Sequence, residues 1–281
     1  MNKELKFLIV GLGLMGGSVA KALSLKGYKV YGYDINLDAI NFAYEYKIIL
    51  NKEVNEDLIK SSDVIILGLY PAIIVSWIKE HKHLLKENVI ITDLTGIKGN
   101  IVTPIQNELS SSQEFISLHP MCGKETSGVQ FANIEMFKQA NLIITPTEVN
   151  TNKGVEFARD FGKELEFNNI EILTVNEHDK MISFLSQLPH VIAVALMNSH
   201  ESDSLVRYTG DSFRDLTRIA KINPYLWSEL FIMNKENLIQ DINEFIKVME
   251  DLKTSINNED IPTLHSLFKE SKRRRENFDK K

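Results

Sequence analysis

The chain has 281 residues, 43% of them hydrophobic and 25% charged, a composition able to bury a core and a length that suits two domains. Thirty-two Lys and Arg against thirty-eight Asp and Glu leave a formal charge of −6, so the basic surplus needed for phosphate-backbone binding is absent and nucleic acid is not expected as a partner. Its single cysteine, Cys122, excludes an internal disulfide and an all-cysteine metal site. No metal site is expected, and no apolar run approaches the ~20 residues of a bilayer span, so the reading is a cytoplasmic protein with no membrane contact.

From the N-terminus to about residue 173, short Val, Ile and Leu runs alternate with amphipathic stretches. That pattern predicts an α/β fold built on a Rossmann-type, doubly wound, mostly parallel sheet. Strands are expected over 6–10, 29–34, 64–69, 89–93, 115–118, 142–145 and 171–173, with helices such as 15–25, 73–81 and 155–165 between them. Gly11-Leu12-Gly13-Leu14-Met15-Gly16 follows the first strand and opens a helix. In that context Gly11 permits the tight turn, Gly13 admits a pyrophosphate to the backbone and Gly16 lets helix and strand pack closely. The helix start at Leu14 and Met15 offers its N–H groups to the anion. Eighteen residues past Gly16, Asp34 ends the second strand, placed to accept hydrogen bonds from the adenine ribose and to repel a 2′-phosphate, which predicts NAD over NADP.

Asp93-Leu94-Thr95-Gly96-Ile97-Lys98-Gly99 and Ser117-Leu118-His119-Pro120-Met121-Cys122-Gly123-Lys124-Glu125 each complete a strand. Both bring polar groups to the carboxyl edge of the sheet, where open α/β sheets bind ligands. There, His119 can take a proton from an alcohol as hydride leaves its carbon. Cys122 is read as an inert, small core residue and not as a nucleophile paired with His119. His81, His83 and His265 read as surface helix residues, and His178 as a candidate interface residue.

After Val175 the strand signal stops. The stretch 177–197 reads as a long apolar-rich helix kinked or broken at Pro189, and a second long helix starts at Asn223-Pro224, with Trp227, Leu230, Phe231, Leu238, Ile242, Phe245 and Met249 at helical spacing. Such apolar helices should pack on one another and on a second subunit. The expected division is 1–173 for dinucleotide binding and 174–281 for an all-helical substrate and dimerisation domain. Arg214 and Arg218 are four apart, on one face if helical, and two guanidinium forks suit a substrate with carboxylates. Taken alone, such a pair is more often a surface feature, and His190 alone is more often a satisfied helix histidine. The charge run 272–281 reads as a solvated helix end.

Taken together, Gly11-Leu12-Gly13-Leu14-Met15-Gly16-Gly17-Ser18, the segment His119 to Gly128, Gln187-Leu188-Pro189-His190 and the segment Phe213 to Ala220 resemble the prephenate dehydrogenase family of tyrosine biosynthesis. The first motif is generic; the other three together are specific, and the likeness runs from the glycine loop to about Trp227. The resemblance implies NAD-dependent oxidative decarboxylation of prephenate to 4-hydroxyphenylpyruvate by a homodimer joined through its helical domain. It also implies that His119 polarises the ring hydroxyl, that Arg218 holds a substrate carboxylate, and that His190 and Arg214 line the substrate site. Where the family often has Gly-Ser, this chain has Thr95-Gly96, so the serine that helps position His119 and the nicotinamide is missing and Thr95 is its candidate substitute. Cys122 replaces a usual alanine, and Arg214 a lysine of some members. No fused mutase or regulatory domain is expected. The alternatives are an arogenate dehydrogenase, differing only at the side-chain amine, a 3-hydroxyacid dehydrogenase, and an NAD-binding sensor without turnover.

Overall fold

A computed structural model describes residues 1–123, 126–201 and 203–278. Lys124 and Glu125, inside the segment His119 to Gly128, lie outside the described residues, as does the end of the charge run, 279–281. The strands among the described residues are β1 (Lys6–Val10), β2 (Lys29–Tyr33), β3 (Val64–Leu67), β4 (Ile90–Asp93), β5 (Glu114–Phe115), β6 (Ser117–Pro120), β7 (Asn141–Thr145) and β8 (Asn169–Ile172). Around them run α1 (Leu14–Leu25), α2 (Leu37–Glu45), α3 (Glu56–Ser61), α4 (Pro71–His81), α5 (Val102–Gln106), α6 (Glu135–Lys138) and α7 (Asn152–Glu164). The later helices are α8 (Val175–Ile182), α9 (Leu188–Asn198), α10 (Asp211–Thr217), α11 (Pro224–Met233), α12 (Lys235–Asn257) and α13 (Ile261–Glu276).

The first five strands form a parallel sheet in the order β2-β1-β3-β4-β5. Along β1, Phe7 and Ile9 enter one core and Leu8 and Val10 the other, all four buried. A strand covered on both faces must be apolar throughout, which is why these strands read as continuous hydrophobic runs. Val19 and Leu23 of α1 cover one face, and Ile74 and Ile78 of α4 the other. Because the chain leaves β1 toward β2 and returns to its other side at β3, the carboxyl ends of β1 and β3 flank the switch point where doubly wound sheets bind ligands.

The run expected as one strand over 115–118 is two strands in different sheets. Ile116 N–H still donates to Ile91 O at 3.0 Å, continuing the first ladder. Ser117 then turns its hydroxyl to Asp93 at 2.5 Å, and Leu118 pairs with Ile144 in a second sheet, β6-β7-β8, where β6 is antiparallel to β7 and β8 parallel to it. An apolar run buried in either sheet has the same sequence signature, so periodicity could not separate the two.

Pro189 neither breaks nor ends its helix. It has no N–H to return to the preceding turn, and the chain widens instead into a π turn, Ser183–Gln187, with Leu188 N–H bonded to Ser183 O. The result is one continuous helix over Val175–Asn198, 24 residues long, whose most apolar 18-residue window has a mean hydropathy of 1.4, which corrects the expectation that no segment approaches a bilayer span in length and apolarity. Its polar residues His178, Asp179 and Gln187 are nevertheless buried and hydrogen-bonded inside the protein. Thr174 and Glu177 start it with a reciprocal capping box.

The second helix begins where expected: the Asn223 side chain accepts from Tyr225 and Leu226 N–H at 3.0 and 3.2 Å, and Pro224 occupies the first helical position. It does not continue through to Met249, because Asn234 leaves helical geometry at φ −117° and ψ 23°. The chain accordingly falls into two compact units, Met1–Asn234 and Lys235–Lys281. Leu226, Trp227, Leu230 and Met233 of α11 pack into the same core as Leu8 and Val10, which binds the helices up to Asn234 to the sheet. In the second unit α12 packs with α13, whose start is capped by Asp260 accepting from Thr263 N–H at 3.1 Å.

Candidate active site

The glycine loop lies at the carboxyl end of β1. Gly11 has φ +89°, and a β-carbon there would meet Gly68 O at 2.5 Å, so both its conformation and the close approach of β3 require glycine. At Gly16 a β-carbon would lie 2.0 Å from Gly11 O. Gly13 differs: no described residue comes within 4 Å of a β-carbon built there, which leaves open space over the start of α1 at Leu14 and Met15. Asp34 Oδ2 accepts from Leu12 N–H at 2.6 Å and Oδ1 from Asn36 N–H at 2.8 Å. The carboxylate thus also holds the loop, a structural task that its spacing from Gly16 did not disclose.

His119, half-buried on β6, bonds through Nδ1 to Nε2 of the fully buried His178 at 2.8 Å, and His178 Nδ1 bonds to Asp179 Oδ1 at 2.7 Å. The direction of the protons follows from chemistry. An ionised carboxylate only accepts, so His178 carries its proton on Nδ1 and presents a lone pair at Nε2; His119 must then donate from Nδ1, leaving Nε2 as its basic nitrogen. Burial, followed by His178 and the Lys98 ammonium, holds His119 well below the ordinary imidazole value. Burial also lowers His178, against the opposing pull of Asp179. Asp179 is itself held by Lys98 N–H at 3.0 Å and Gly99 N–H at 2.7 Å. His178, expected at an interface, is therefore an interior residue. A lone histidine on a helix carries no sign of a partner 59 residues away.

Beneath His119 lies a fully buried ion pair: Lys98 Nζ donates to Asp93 Oδ2 and to Leu118 O, each at 2.7 Å. Asp93 Oδ1 also accepts from the Ser117 hydroxyl. The Thr95 hydroxyl lies between the Asp93 carboxylate and Ile97 O, and Thr95 is buried. Thr95 is thus committed to the interior and its hydroxyl does not stand in for the missing serine, because its backbone offset points it at Asp93. Gly96 does face the histidine: a β-carbon there would lie 3.6 Å from His119 Nε2 and 3.6 Å from Leu230 Cδ2. Cys122 packs at the core edge, where burial pushes its thiol up to about 12, leaving no thiolate at neutral pH.

Helix α11 brings the helical segment over this edge. The Tyr70 hydroxyl meets Asn223 Nδ2 at 3.1 Å, and Glu229 Oε2 accepts from Ala72 N–H at 3.0 Å, both beside β3. His190 lies stacked on Trp227, ring centroids 3.6 Å apart, with Nδ1 bonded to Ser186 O at 2.8 Å. Trp227 and Leu230 are three residues apart, neighbours on one helix face, so the residue that stacks on His190 and the residue that faces Gly96 are about one turn apart on α11. Arg214 is exposed, bonded to Asp211 at 3.1 Å and Thr209 O at 2.8 Å. Arg218 does not continue its helix: α10 ends at Thr217 and a 3₁₀ turn, Arg218–Ala220, packs against α9, the helix of His190.

A family model for the nucleotide-binding domain of prephenate dehydrogenase matches residues 19–170, and one for its dimerization domain matches residues 174–270. Prephenate dehydrogenase of Bacillus subtilis is 28% identical over 274 residues, covering 94% of this chain and 74% of that protein. The structure of Aquifex aeolicus prephenate dehydrogenase in complex with hydroxyphenyl propionate and NAD+ superposes with a TM-score of 0.89 at 31% identity, covering 98% of both chains. Arogenate dehydrogenase of Synechocystis gives 0.83 at 25% identity over 98% of this chain and all of the other. With both domain models matched in order along one chain and the fold shared from end to end, this protein belongs to the prephenate dehydrogenase family.

Proposed function

We propose that the protein is an NAD-dependent dehydrogenase that oxidatively decarboxylates prephenate to 4-hydroxyphenylpyruvate. The observation that carries the reading is the chain Asp179-His178-His119, which turns the basic Nε2 of His119 toward Gly96 at the sheet edge, while burial above all holds its pKa well below the ordinary imidazole value. NAD fits the residues at the switch point: the open space over Gly13 would admit the pyrophosphate at the start of α1, and Asp34 would hold the adenine ribose and disfavour a 2′-phosphate. When bound, it supplies the hydride acceptor.

His119 Nε2 accepts a hydrogen bond from the ring hydroxyl and draws its proton as hydride leaves the carbon that bears it. The proton returns to oxygen as the ring carboxylate departs as carbon dioxide and the ring becomes a phenol, so aromatisation drives the step. The residues then supply positioning and charge control. Arg218 is assigned to a substrate carboxylate, and Arg214 and His190, the latter stacked on Trp227, to the wall of the substrate site. Nucleotide binding is assigned to 1–173 and substrate binding and dimerisation to 174–281, a division supported by the family-model matches.

Arogenate is the second reading, favoured by the likeness to the Synechocystis enzyme. Following 340 nm absorbance with NAD and either prephenate or arogenate decides between them: turnover of neither refutes the proposal. The protein is further proposed to be a cytoplasmic homodimer. Ile239, Ile246, Met249 and Ile256 of α12 are exposed at heptad-like spacing, a stripe suited to a second copy. A monomeric mass by light scattering would overturn this.

A further inference from the structure

A helix ends with four carbonyls that have no partner within it. In α11 these include Leu230, Ile232 and Met233, and each has a partner from a different source. Gln187 Nε2 donates to Leu230 O at 2.9 Å, Asn234 N–H to Ile232 O, and Asn100 Nδ2 to Met233 O at 3.0 Å. Asn234 is the residue where the helix stops, yet its side chain turns inward and is only 4% exposed. Its Nδ2 donates to Gln187 Oε1 at 2.9 Å and to Asp179 O at 2.8 Å. Gln187, 1% exposed, therefore has both ends of its amide engaged, and the orientation of each amide is fixed by a backbone carbonyl that can only accept, Leu230 O for Gln187 and Asp179 O for Asn234.

These partners converge on the proposed site. Asp179 anchors the histidine chain, Leu230 faces Gly96 beside His119, and Gln187 lies three residues before His190. Apolar packing is non-directional and leaves a helix free to slide or roll within its contacts, whereas hydrogen bonds at a helix end fix its axial position. We infer that Gln187 and Asn234 form a buried amide clamp that positions α11, and with it Trp227 and Leu230, against the Asp179-His178-His119 chain. Both are positioning residues; neither is assigned a contact with substrate or cofactor. The kinetic part of this inference rests on the proposed function; the geometric part does not.

Two isosteric changes test the clamp. Asn234→Asp puts an acceptor oxygen against Gln187 Oε1 and Asp179 O, and Gln187→Glu puts one against Leu230 O. A displacement of about 1 Å near a reacting centre costs on the order of 100-fold in rate, so each variant should lose 10- to 100-fold in kcat with the KM for NAD within about twofold of wild type. In a Trp77→Phe background, which leaves Trp227 as the sole tryptophan, its emission should change as the His190 stack loosens. The exchanged pair Gln187→Asn with Asn234→Gln keeps both amides and their combined length, and should recover a substantial part of kcat and of the emission. Unchanged kcat and unchanged Trp227 emission, with only a lower Tm, would overturn the inference and leave the amides a purely stabilising role; failure of the exchanged pair to recover either signal would also overturn it. If the wild type turns over neither substrate, the proposed function fails, while Trp227 emission still decides the clamp.

Discussion

Replacing His178 with Phe isolates what the histidine chain contributes. The ring is fully buried, so a side chain of similar size and shape avoids a large cavity while removing both ring hydrogen bonds, 2.8 Å to His119 and 2.7 Å to Asp179. Asp179 keeps its bonds from Lys98 and Gly99 N–H, so no carboxylate is stranded. Losing one neutral bond (about 1 kcal/mol) and one to a charged group (about 2 kcal/mol) predicts a destabilisation of about 3 kcal/mol, or roughly 6–12 °C in Tm. The effect on rate has a different origin. Without an acceptor at His178 Nε2, nothing holds the proton of His119 on Nδ1, and the tautomer protonated on Nε2 cannot accept from the substrate hydroxyl. General-base catalysis contributes on the order of 10²–10⁴, and because some of the productive tautomer persists, a loss of about 100-fold in kcat is expected, with the KM for NAD unchanged. His178→Gln, whose amide can accept from His119 and donate to Asp179, should recover part of it. The assay is NADH production at 340 nm with prephenate and arogenate, alongside thermal unfolding. A folded His178→Phe enzyme with kcat within threefold of wild type would refute the tautomer argument.

Four further outcomes are expected. His119 must be neutral to act and is held well below the ordinary value of 6.5, so activity should persist above that range and fall only as pH drops through the depressed pKa; an acid limb of kcat/KM at or above pH 7 would contradict this. Arg218→Ala should remove the proposed charge-assisted carboxylate contact of about 1.5–3 kcal/mol and raise KM for the ring substrate roughly 10- to 150-fold, so an unchanged KM places the carboxylate elsewhere. Asp34→Ala should relax the discrimination against NADP and, because Asp34 also holds Leu12 N–H, raise the KM for NAD as well; unaltered cofactor preference would remove Asp34 from the ribose site. Cys122→Ala should leave kcat near wild type, and the native thiol, raised to about 12, should resist iodoacetamide at pH 8; rapid alkylation with loss of activity would reinstate it as a reactive group.

The amino-acid sequence by itself determined the features that depend on neighbours along the chain. Apolar runs on strands buried from both sides disclosed the parallel sheet, the spacing Gly11, Gly13 and Gly16 marked the turn at the carboxyl end of β1, and Asn223-Pro224 marked the start of α11. Tertiary structure decided what depends on partners distant in sequence. The strand expected over 115–118 divides because Ser117 is drawn to Asp93, a residue of another strand. Asn234 stops a helix whose apolar spacing continues, because α11 closes against the sheet core and the asparagine amide is bonded to Gln187 and Asp179. Thr95 turns inward to Asp93, and the interior positions of His178, Asp179 and Lys98 have no periodicity of their own. A buried polar residue is tolerated only where the fold supplies its hydrogen-bond partner, and that partner is named by the packing of the chain, not by the residues on either side.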